Sequence, residues 1–183
     1  MAFKKRFDVK TILDLGCGLG RHSVFLAKNG FDVVGVDISK SALMIAKKWI
    51  CKERLENVAL LRANMTALPF KDSYFHMVIS VSVIHHALKS DIEKAIAEIH
   101  RVLKKNGLLL TNLASKKDRR YGKGVMVEKD TFLLTEKFGK ARFKELHHFF
   151  TKSEVSKLLV RFTKVKIENL EQYHCFWKIT AFK

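Results

Sequence analysis

The sequence is poor in the features that mark secreted, membrane and disulfide-rich proteins. Its three cysteines, Cys17, Cys51 and Cys175, are widely spaced and form no CxxC pair, which argues against a disulfide framework and a structural zinc site. No apolar run approaches the ~18–20 residues that span a bilayer. The first ten residues also lack the apolar stretch of a secretory signal. We therefore expect a cytoplasmic protein with reduced thiols.

Acidic residues are scarce relative to basic ones. The chain has 18 Asp and Glu against 35 Lys and Arg, a formal net charge of +17. This excess favours anionic partners, but a solvated basic surface produces the same count. The densest stretch contains a single acid, Asp118, among eight bases: Arg101, Lys104, Lys105, Lys116, Lys117, Arg119, Arg120 and Lys123. Charge alone leaves both a solvated face and a nucleic-acid-binding patch open.

Proline is nearly absent, and we find neither internal repeats nor low-complexity linkers in the 183 residues. A chain of this length, 48% hydrophobic, is sufficient for one core but not for two. We therefore predict a single domain over residues 1–183. Short apolar runs alternate with helical patterns, which is typical of an α/β fold with a mainly parallel sheet.

The alternation predicts individual elements and three helix caps. Strands are expected at 11–15, 31–37, 58–63, 74–81 and 108–114, with a tail hairpin at 163–172 and 174–183, and helices at about 21–28, 40–55, 90–105 and 152–161. Ser39 is the expected N-cap of the second helix. Ser90 with Glu93, and Thr151 with Glu154, have the spacing of capping boxes. Residues 115–150 are the least regular part, and we expect them to form an insertion.

A glycine-rich turn follows the first strand and precedes the first helix. Gly16, Gly18 and Gly20 permit positive φ and let a ligand approach the backbone closely. The helix N-terminus beyond them favours a carboxylate or a phosphate. Asp37 ends the second strand about 20 residues later, where a carboxylate can accept hydrogen bonds from both hydroxyls of a ribose. This arrangement predicts a nucleoside-containing ligand at the carboxyl ends of the strands.

The spacing of the glycines separates two classes of nucleoside. In the dinucleotide fingerprint G-x-G-x-x-G, the last position would fall on Arg21, whose bulk hinders close packing of helix on sheet. The motif DLGCGLG, together with the stretches ANMTALPFKDSYFHMVISVSVIHH and EIHRVLKKNGLLL, instead resembles the class I S-adenosylmethionine-dependent methyltransferases of the small-molecule type. The resemblance implies a doubly wound, mostly parallel seven-stranded sheet with helices on both faces and a C-terminal antiparallel hairpin.

The resemblance also implies which residues hold S-adenosylmethionine. Asp14 and the turn of Gly16, Cys17, Gly18 and Gly20 would hold the methionine end, Asp37 the ribose, Ile38, Asn64 and Met65 the adenine, and Ser80 and Val81 would line the methyl donor region. Asn64 departs from the pattern, since the family usually has a carboxylate there. Its amide oxygen can accept from the adenine amino group, or it can simply cap a turn.

Two pairs of histidines are candidates for further roles. His85 and His86 follow the fourth strand, where a substrate pocket would open and an imidazole could act as a general base. We expect His147 and His148 to be structural or surface residues, and we predict no metal site.

The methyl acceptor is the least determined part of the prediction. A small molecule leads, because no nucleic-acid-binding module is recognisable, and residues 115–150 would then act as a lid over it. RNA is the alternative, favoured by the charge. A nicotinamide-dependent oxidoreductase and a non-catalytic nucleoside-binding module are the remaining alternatives.

Overall fold

The computed structural model describes residues 9–138, 141–171 and 175–183. These contain ten strands: β1 (Thr11–Leu15), β2 (Asp32–Asp37), β3 (Val58–Arg62), β4 (Phe75–Ser80), β5 (Leu103–Ala114), β6 (Val125–Glu128), β7 (Thr131–Phe138), β8 (Ala141–His148), β9 (Thr163–Glu171) and β10 (Cys175–Phe182). They also contain four α-helices: α1 (Arg21–Lys28), α2 (Lys40–Lys52), α3 (Lys89–Val102) and α4 (Lys152–Leu158). No helix in these ranges is long and apolar enough to span a membrane.

Seven strands form one sheet in the order β3-β2-β1-β4-β5-β10-β9. The first five are parallel to one another, and β10 pairs antiparallel with both β5 and β9. The predicted seven-stranded sheet and its C-terminal hairpin are thereby confirmed. Strand order reverses at β1, which has β2 on one side and β4 on the other. Ligands of open α/β sheets bind at the carboxyl ends of the strands at such a switch point.

Both faces of the sheet are buried, which explains the continuous apolar runs of its parallel strands. Leu13 and Leu15 of β1 belong to a core cluster that includes Ile92, Ile96 and Ile99 of α3. Successive side chains of a strand point to opposite faces. Accordingly, Ile12 joins a second cluster on the other face, with Leu26 and Ala27 of α1. The sheet therefore has helices on both sides, as the resemblance implied.

Two of the three predicted helix caps are present. The hydroxyl oxygen of Ser39 accepts a hydrogen bond from the Ala42 amide at 3.3 Å, and Thr151 with Glu154 forms the reciprocal capping box of α4. The predicted box of Ser90 and Glu93 was wrong.

The third helix, α3, begins one residue before Ser90. Its N-cap is Leu88, whose side chain makes no capping hydrogen bond. The exposed amide of Lys89 instead donates to the carboxylate of Glu128, at 2.7 Å. A residue distant in sequence thus satisfies a backbone amide at the N-terminus of α3. At its other end, α3 stops at Val102 and β5 already begins at Leu103, not at 108 as predicted.

Residues 115–150 form a regular insertion, contrary to the expectation that they would be the least ordered part. Strands β6, β7 and β8 make a separate three-stranded antiparallel sheet. The insertion leaves and re-enters the main fold at one place, because Ser115 and Phe150 form a parallel bridge. The Phe150 amide also donates to the Ala114 carbonyl at 2.8 Å. Phe132 and Leu134 of β7 pack with Phe149 against Ala114 of β5 and Phe176 of β10, so the insertion shares a small core with the main sheet.

Candidate active site

A cleft of about 500 Å³ opens at the carboxyl ends of β1, β2 and β4. This volume lies within the range of small-molecule sites. Its walls come from the turns after these three strands, the turn after β3, the start of α3, and β8. The lining residues are Leu15, Gly16, Gly18, Val36, Asp37, Ile38, Ala63, Asn64, Met65, Thr66, Ser82, Val83, His86, Ala87, Asp91 and Glu145.

The glycines of the first turn serve two different purposes. Gly16, Gly18 and Gly20 all have positive φ, of +73°, +53° and +89°. A side chain at Gly16 would come within 2.3 Å of Val83, so glycine is required there for packing. A side chain at Gly18 would meet no described atom within 4 Å. Gly18 therefore keeps open a space in the cleft that a ligand can approach.

Asp37 fixes the shape of this turn. Its Oδ2 accepts a hydrogen bond from the Gly18 amide at 2.7 Å, and its Oδ1 accepts one from the Ser39 amide at 2.8 Å. Each carboxylate oxygen has two lone pairs, so both retain capacity for a ribose hydroxyl. The sequence indicated a ligand-binding role for Asp37. It did not indicate this second role, in which one side chain joins the end of β2 to the glycine turn.

Asp14 and Ser80 lie beneath the cleft and do not line it. Asp14 is 1% exposed, and its Oδ2 accepts a hydrogen bond from the Ser23 hydroxyl at 2.6 Å. Burial raises the pKa of the Asp14 carboxyl from 3.8 to about 6, although the hydrogen bond from Ser23 opposes the rise. The buried Ser80 hydroxyl donates to the Leu15 carbonyl at 3.0 Å. Both side chains hold the end of β1 in position.

Three further residues predicted to bind the cofactor also lie outside the lining of the cleft. They are Cys17, Gly20 and Val81. The Cys17 side chain packs against β2 close to Gly35, and burial raises the pKa of its thiol to about 12. Gly20 is the N-cap of α1. The prediction placed these residues at the ligand because it assigned the whole motif to it, whereas only alternate positions of the turn face the cleft.

The residues predicted to bind adenine lie together in the structure. Ile38, Asn64 and Met65 all line the cleft, and Ile38 is 62% exposed there. The Asn64 side-chain oxygen accepts a hydrogen bond from the Thr66 amide at 3.0 Å. Asn64 therefore caps its own turn, and this oxygen keeps one lone pair for a ligand.

The two histidines after β4 have different environments. His86 lines the cleft, and its Nδ1 lies 3.1 Å from the Leu146 carbonyl oxygen and 3.3 Å from Glu145 Oε2. Because both partners are acceptors, Nδ1 carries the proton, and Nε2 is left with a lone pair. His85 is fully buried and does not reach the cleft, so the prediction that it lines the substrate pocket was wrong. Burial lowers the pKa of both imidazoles.

The insertion contributes to the site in a way that the sequence did not signal. Glu145 of β8 lines the cleft, and His147 of the same strand is 2% exposed beside His85 and His86. His148 is also buried, with its Nδ1 hydrogen-bonded to the Thr131 hydroxyl. Neither His147 nor His148 is a surface residue. Their approach to the main fold depends on the register of β8, which no local pattern determines.

Much of the basic run is engaged within the protein. Arg101 pairs with Asp72 and Glu98. Lys116 pairs with Asp130 and Glu154, and Arg120 with Asp118 and Glu136. These ion pairs reduce the charge that the run can offer to a polyanion, while Lys105, Lys117 and Lys123 remain exposed.

The comparison with protein families decides the identity of the fold and site. Residues 13–111 match the family model described as a methyltransferase domain, which is more than half of the chain. The chain belongs to this methyltransferase family. The matched region runs from β1 to β5, and so includes the glycine turn, Asp37, Asn64 and both histidines after β4.

Solved structures show that the likeness extends over the whole methyltransferase fold. A structure of an S-adenosylmethionine-dependent methyltransferase from Methanosarcina mazei superimposes with a TM-score of 0.81, at 23% identity, over 100% of this chain and 97% of that one. A Burkholderia thailandensis 1,6-didemethyltoxoflavin N1-methyltransferase, solved with 1,6-didemethyltoxoflavin and S-adenosylhomocysteine, has a TM-score of 0.72 at 18% identity. It covers 100% of this chain and 75% of that one. At these identities the superpositions show the fold alone.

The curated relatives match just over half of the chain. Demethylmenaquinone methyltransferase of Lactiplantibacillus plantarum is 34% identical over 114 residues, which are 59% of this chain and 46% of that protein. A Haemophilus influenzae protein is 40% identical over 105 residues, 56% of this chain and 42% of the relative. The methyltransferase chain thus spans less than half the length of these curated relatives.

Proposed function

We propose that the chain binds S-adenosylmethionine in the cleft and transfers its methyl group to a small-molecule acceptor. The observation that carries the proposal is the open space at Gly18, bounded by the Asp37 carboxylate, at the sheet's topological switch point. A ligand that packs closely against the backbone requires a residue without a side chain at that point of the cleft.

Each part of the cofactor has a matching surface. The carboxylate of the methionine end fits the N-terminus of α1, because the amides of Gly16, Cys17, Gly18 and Gly20 are already hydrogen-bonded within the protein. The ribose hydroxyls fit the remaining lone pairs of Asp37. The adenine ring fits between Ile38 and Met65, with Asn64 at its edge. The methyl group would then face the part of the cleft formed by Ser82, Val83 and His86.

The reaction needs little from the protein beyond alignment. The acceptor's lone pair attacks the methyl carbon, the carbon–sulfur bond breaks, and its electrons return to sulfur, which leaves as S-adenosylhomocysteine. The sulfonium is already activated, so holding donor and acceptor in line and excluding water are the main contributions. An acceptor that carries a proton must lose it, and His86 lines the cleft with an Nε2 lone pair that could accept it.

A small acceptor fits better than a polymer. Glu145 of β8 forms part of the cleft wall, so the insertion closes one side of the space in which the acceptor would lie. We therefore propose that the β6–β8 sheet covers the acceptor, in the role of a lid. The toxoflavin and demethylmenaquinone enzymes are named for small-molecule substrates, which supports the same class for this chain.

Calorimetry tests the cofactor assignment. We expect S-adenosylmethionine and S-adenosylhomocysteine each to bind with a stoichiometry of one, and NAD not to bind. Measurable NAD binding with none for the two methionine nucleosides would refute the proposal. A subsequent screen of small methyl acceptors, with total RNA as a comparison substrate, would identify the acceptor class.

A further inference from the structure

Three histidines from two separate parts of the chain meet beside the cleft. His85 and His86 follow β4, and His147 lies on β8. One ring nitrogen of each lies within 4.8 Å of the other two. The ring centroids of His85 and His147 are 5.7 Å apart, and those of His86 and His147 are 4.4 Å apart. The insertion therefore completes a cluster of three imidazoles.

His85 is the deepest of the three rings and is incompletely satisfied. It is 0% exposed, the Asn112 backbone approaches its ring, and within the described parts of the chain at least one of its ring nitrogens has no hydrogen-bond partner. Buried polar atoms are nearly always hydrogen-bonded, so an unpartnered ring nitrogen in the interior calls for an explanation.

The surroundings of the cluster resemble the outer shell of a metal site. Histidines that ligate a metal usually donate their second ring N–H to a carbonyl or a carboxylate. His86 Nδ1 lies 3.1 Å from the Leu146 carbonyl oxygen, and His147 Nε2 lies 3.3 Å from Glu136 Oε1. Glu145 Oε2 lies 3.3 Å from His86 Nδ1 and 3.7 Å from His147 Nε2.

The charge around the cluster also suits a dication. Glu136 and Glu145 supply two negative charges at the rings. The nearby Arg120 guanidinium pairs with Glu136 and with the buried Asp118 carboxylate, which offset its own charge. A metal ion would thus meet anionic groups in the second shell and neutral imidazoles in the first.

We propose that His85, His86 and His147 bind a divalent transition-metal ion of the zinc type. Tetrahedral zinc with Zn–N bonds of about 2.0–2.1 Å places its ligand nitrogens about 3.4 Å apart. The rings must therefore close by at most about 1.4 Å from their present separation of up to 4.8 Å, a change that side-chain rotation can supply. Three protein ligands leave a fourth position, which we place at the cleft because His86 lines it.

The fourth position has a consequence that rests on the proposed function. An acceptor hydroxyl or thiol bound to the metal would lose its proton to water more easily, because a bound dication lowers the pKa of its ligands. The metal-bound oxygen or sulfur would then attack the methyl carbon as the carbon–sulfur bond of the cofactor breaks. The substrate class would be acceptors with a coordinating hydroxyl or thiol, held by the metal in place of a direct contact with His86.

Cobalt(II) spectroscopy tests the site directly. The full chain, made without a polyhistidine tag and treated with a chelator, would be titrated with Co²⁺ and its visible absorption followed. Zn²⁺ would then be added as a competitor. We expect one Co²⁺ per chain with the intense bands of tetrahedral coordination, displaced by Zn²⁺. An absence of stoichiometric binding in the folded parent would overturn the proposal.

Variants assign the ligands. His147→Gln and His86→Gln should each lower Co²⁺ affinity by about 100-fold or more. His148→Gln is the matched control, because His148 is the next residue on β8 but bonds to Thr131 instead. It should bind Co²⁺ like the parent. Circular dichroism of the metal-free variants shows whether each is folded. Equal affinity in the parent and in both folded ligand variants, or equal loss in the control, would contradict the assignment.

Two further measurements separate the parts of the proposal. Azide added to the cobalt protein should shift its absorption if the fourth position is open, and an unchanged spectrum would contradict that. Calorimetry of S-adenosylmethionine on metal-free protein tests the cofactor site separately. Metal binding without cofactor binding would leave the metal site standing while refuting the proposed function. Cofactor binding without metal binding would refute the metal site and leave the proposed function standing.

Discussion

Asp14→Asn should stabilise the protein while weakening cofactor binding. Burial raises the pKa of this carboxyl from 3.8 to about 6, so the folded state keeps the proton at pH values where the unfolded state has lost it. Stability therefore falls as the pH rises from about 4 to about 6 and levels off above that range. Since one pKa unit corresponds to about 1.4 kcal/mol, the ionised carboxylate costs the folded state about 3 kcal/mol at pH 8.

Asparagine removes this cost and preserves the local hydrogen bond. Its side-chain oxygen can still accept from the Ser23 hydroxyl, which lies 2.6 Å from Asp14 Oδ2 in the parent. Because the cost is already about 0.6 kcal/mol at pH 4, the gain in unfolding free energy over the parent should grow by about 2.4 kcal/mol between pH 4 and pH 8. Any constant difference between the two side chains would cancel in this comparison.

Urea unfolding of parent and variant at pH 4, 5, 6 and 8 measures the effect. Asp32→Asn is the matched control, because Asp32 is an exposed aspartate at the start of β2. The same pH series on this variant shows how much of the effect an exposed Asp→Asn exchange produces. Cofactor affinity of Asp14→Asn, measured at pH 8, should be lower than that of the parent, because a negative charge beneath the turn is lost. A stability difference between Asp14→Asn and the parent that is the same at every pH would refute the reasoning.

Three more outcomes follow from the site and its surface. Gly18→Ala should lose about 1–2 kcal/mol of stability, because of its positive φ, and should also lose cofactor binding. Gly122→Ala, with φ of +77° and equally open surroundings, should lose stability alone. Urea unfolding measures the stability of each variant and calorimetry its cofactor affinity. Equal cofactor affinity in the two folded variants would contradict a ligand at Gly18. Asp37→Asn should weaken cofactor binding roughly tenfold or more in calorimetry, because charged hydrogen bonds to the ribose are lost; an unchanged dissociation constant would show that Asp37 does not hold the ribose. In fluorescence anisotropy, structured RNA should bind the parent weakly and lose affinity steeply as the salt concentration rises. The Lys117→Ser/Lys123→Ser double variant should bind this RNA almost as well as the parent does. Tight binding by the parent at physiological salt that the double variant abolishes would favour an RNA acceptor.

The part of the site that the sequence predicted is the part built from consecutive residues. The turn from Gly16 to Gly20 lies between a strand and a helix whose patterns are strong, and α1 spans the predicted residues 21–28. Asp37 was found because it ends the next strand. The same local reasoning overstated the motif, since Cys17 and Asp14 point away from the cleft.

The parts that it missed depend on pairing between distant segments. The strands of the insertion have few local turn signals and many charges, and their register aligns Thr131 with His148 only in the folded chain. That register places Glu145 in the cleft and His147 against His85. The N-terminus of α3 shows the same limit, since its partner Glu128 lies on another sheet. Propensity and spacing depend on neighbours along the chain, so they do not predict contacts between segments that are distant in sequence.

The bridge between Ser115 and Phe150 makes the intervening segment separable in principle from the rest of the molecule. Its two ends are adjacent, so a short turn could replace it without stretching the backbone between β5 and α4. Under the proposed function, in which the insertion covers the acceptor, the two parts could change independently during evolution. We then expect a chimaera carrying the corresponding segment of another family member to keep the same methyl donor and to acquire a different choice of acceptor.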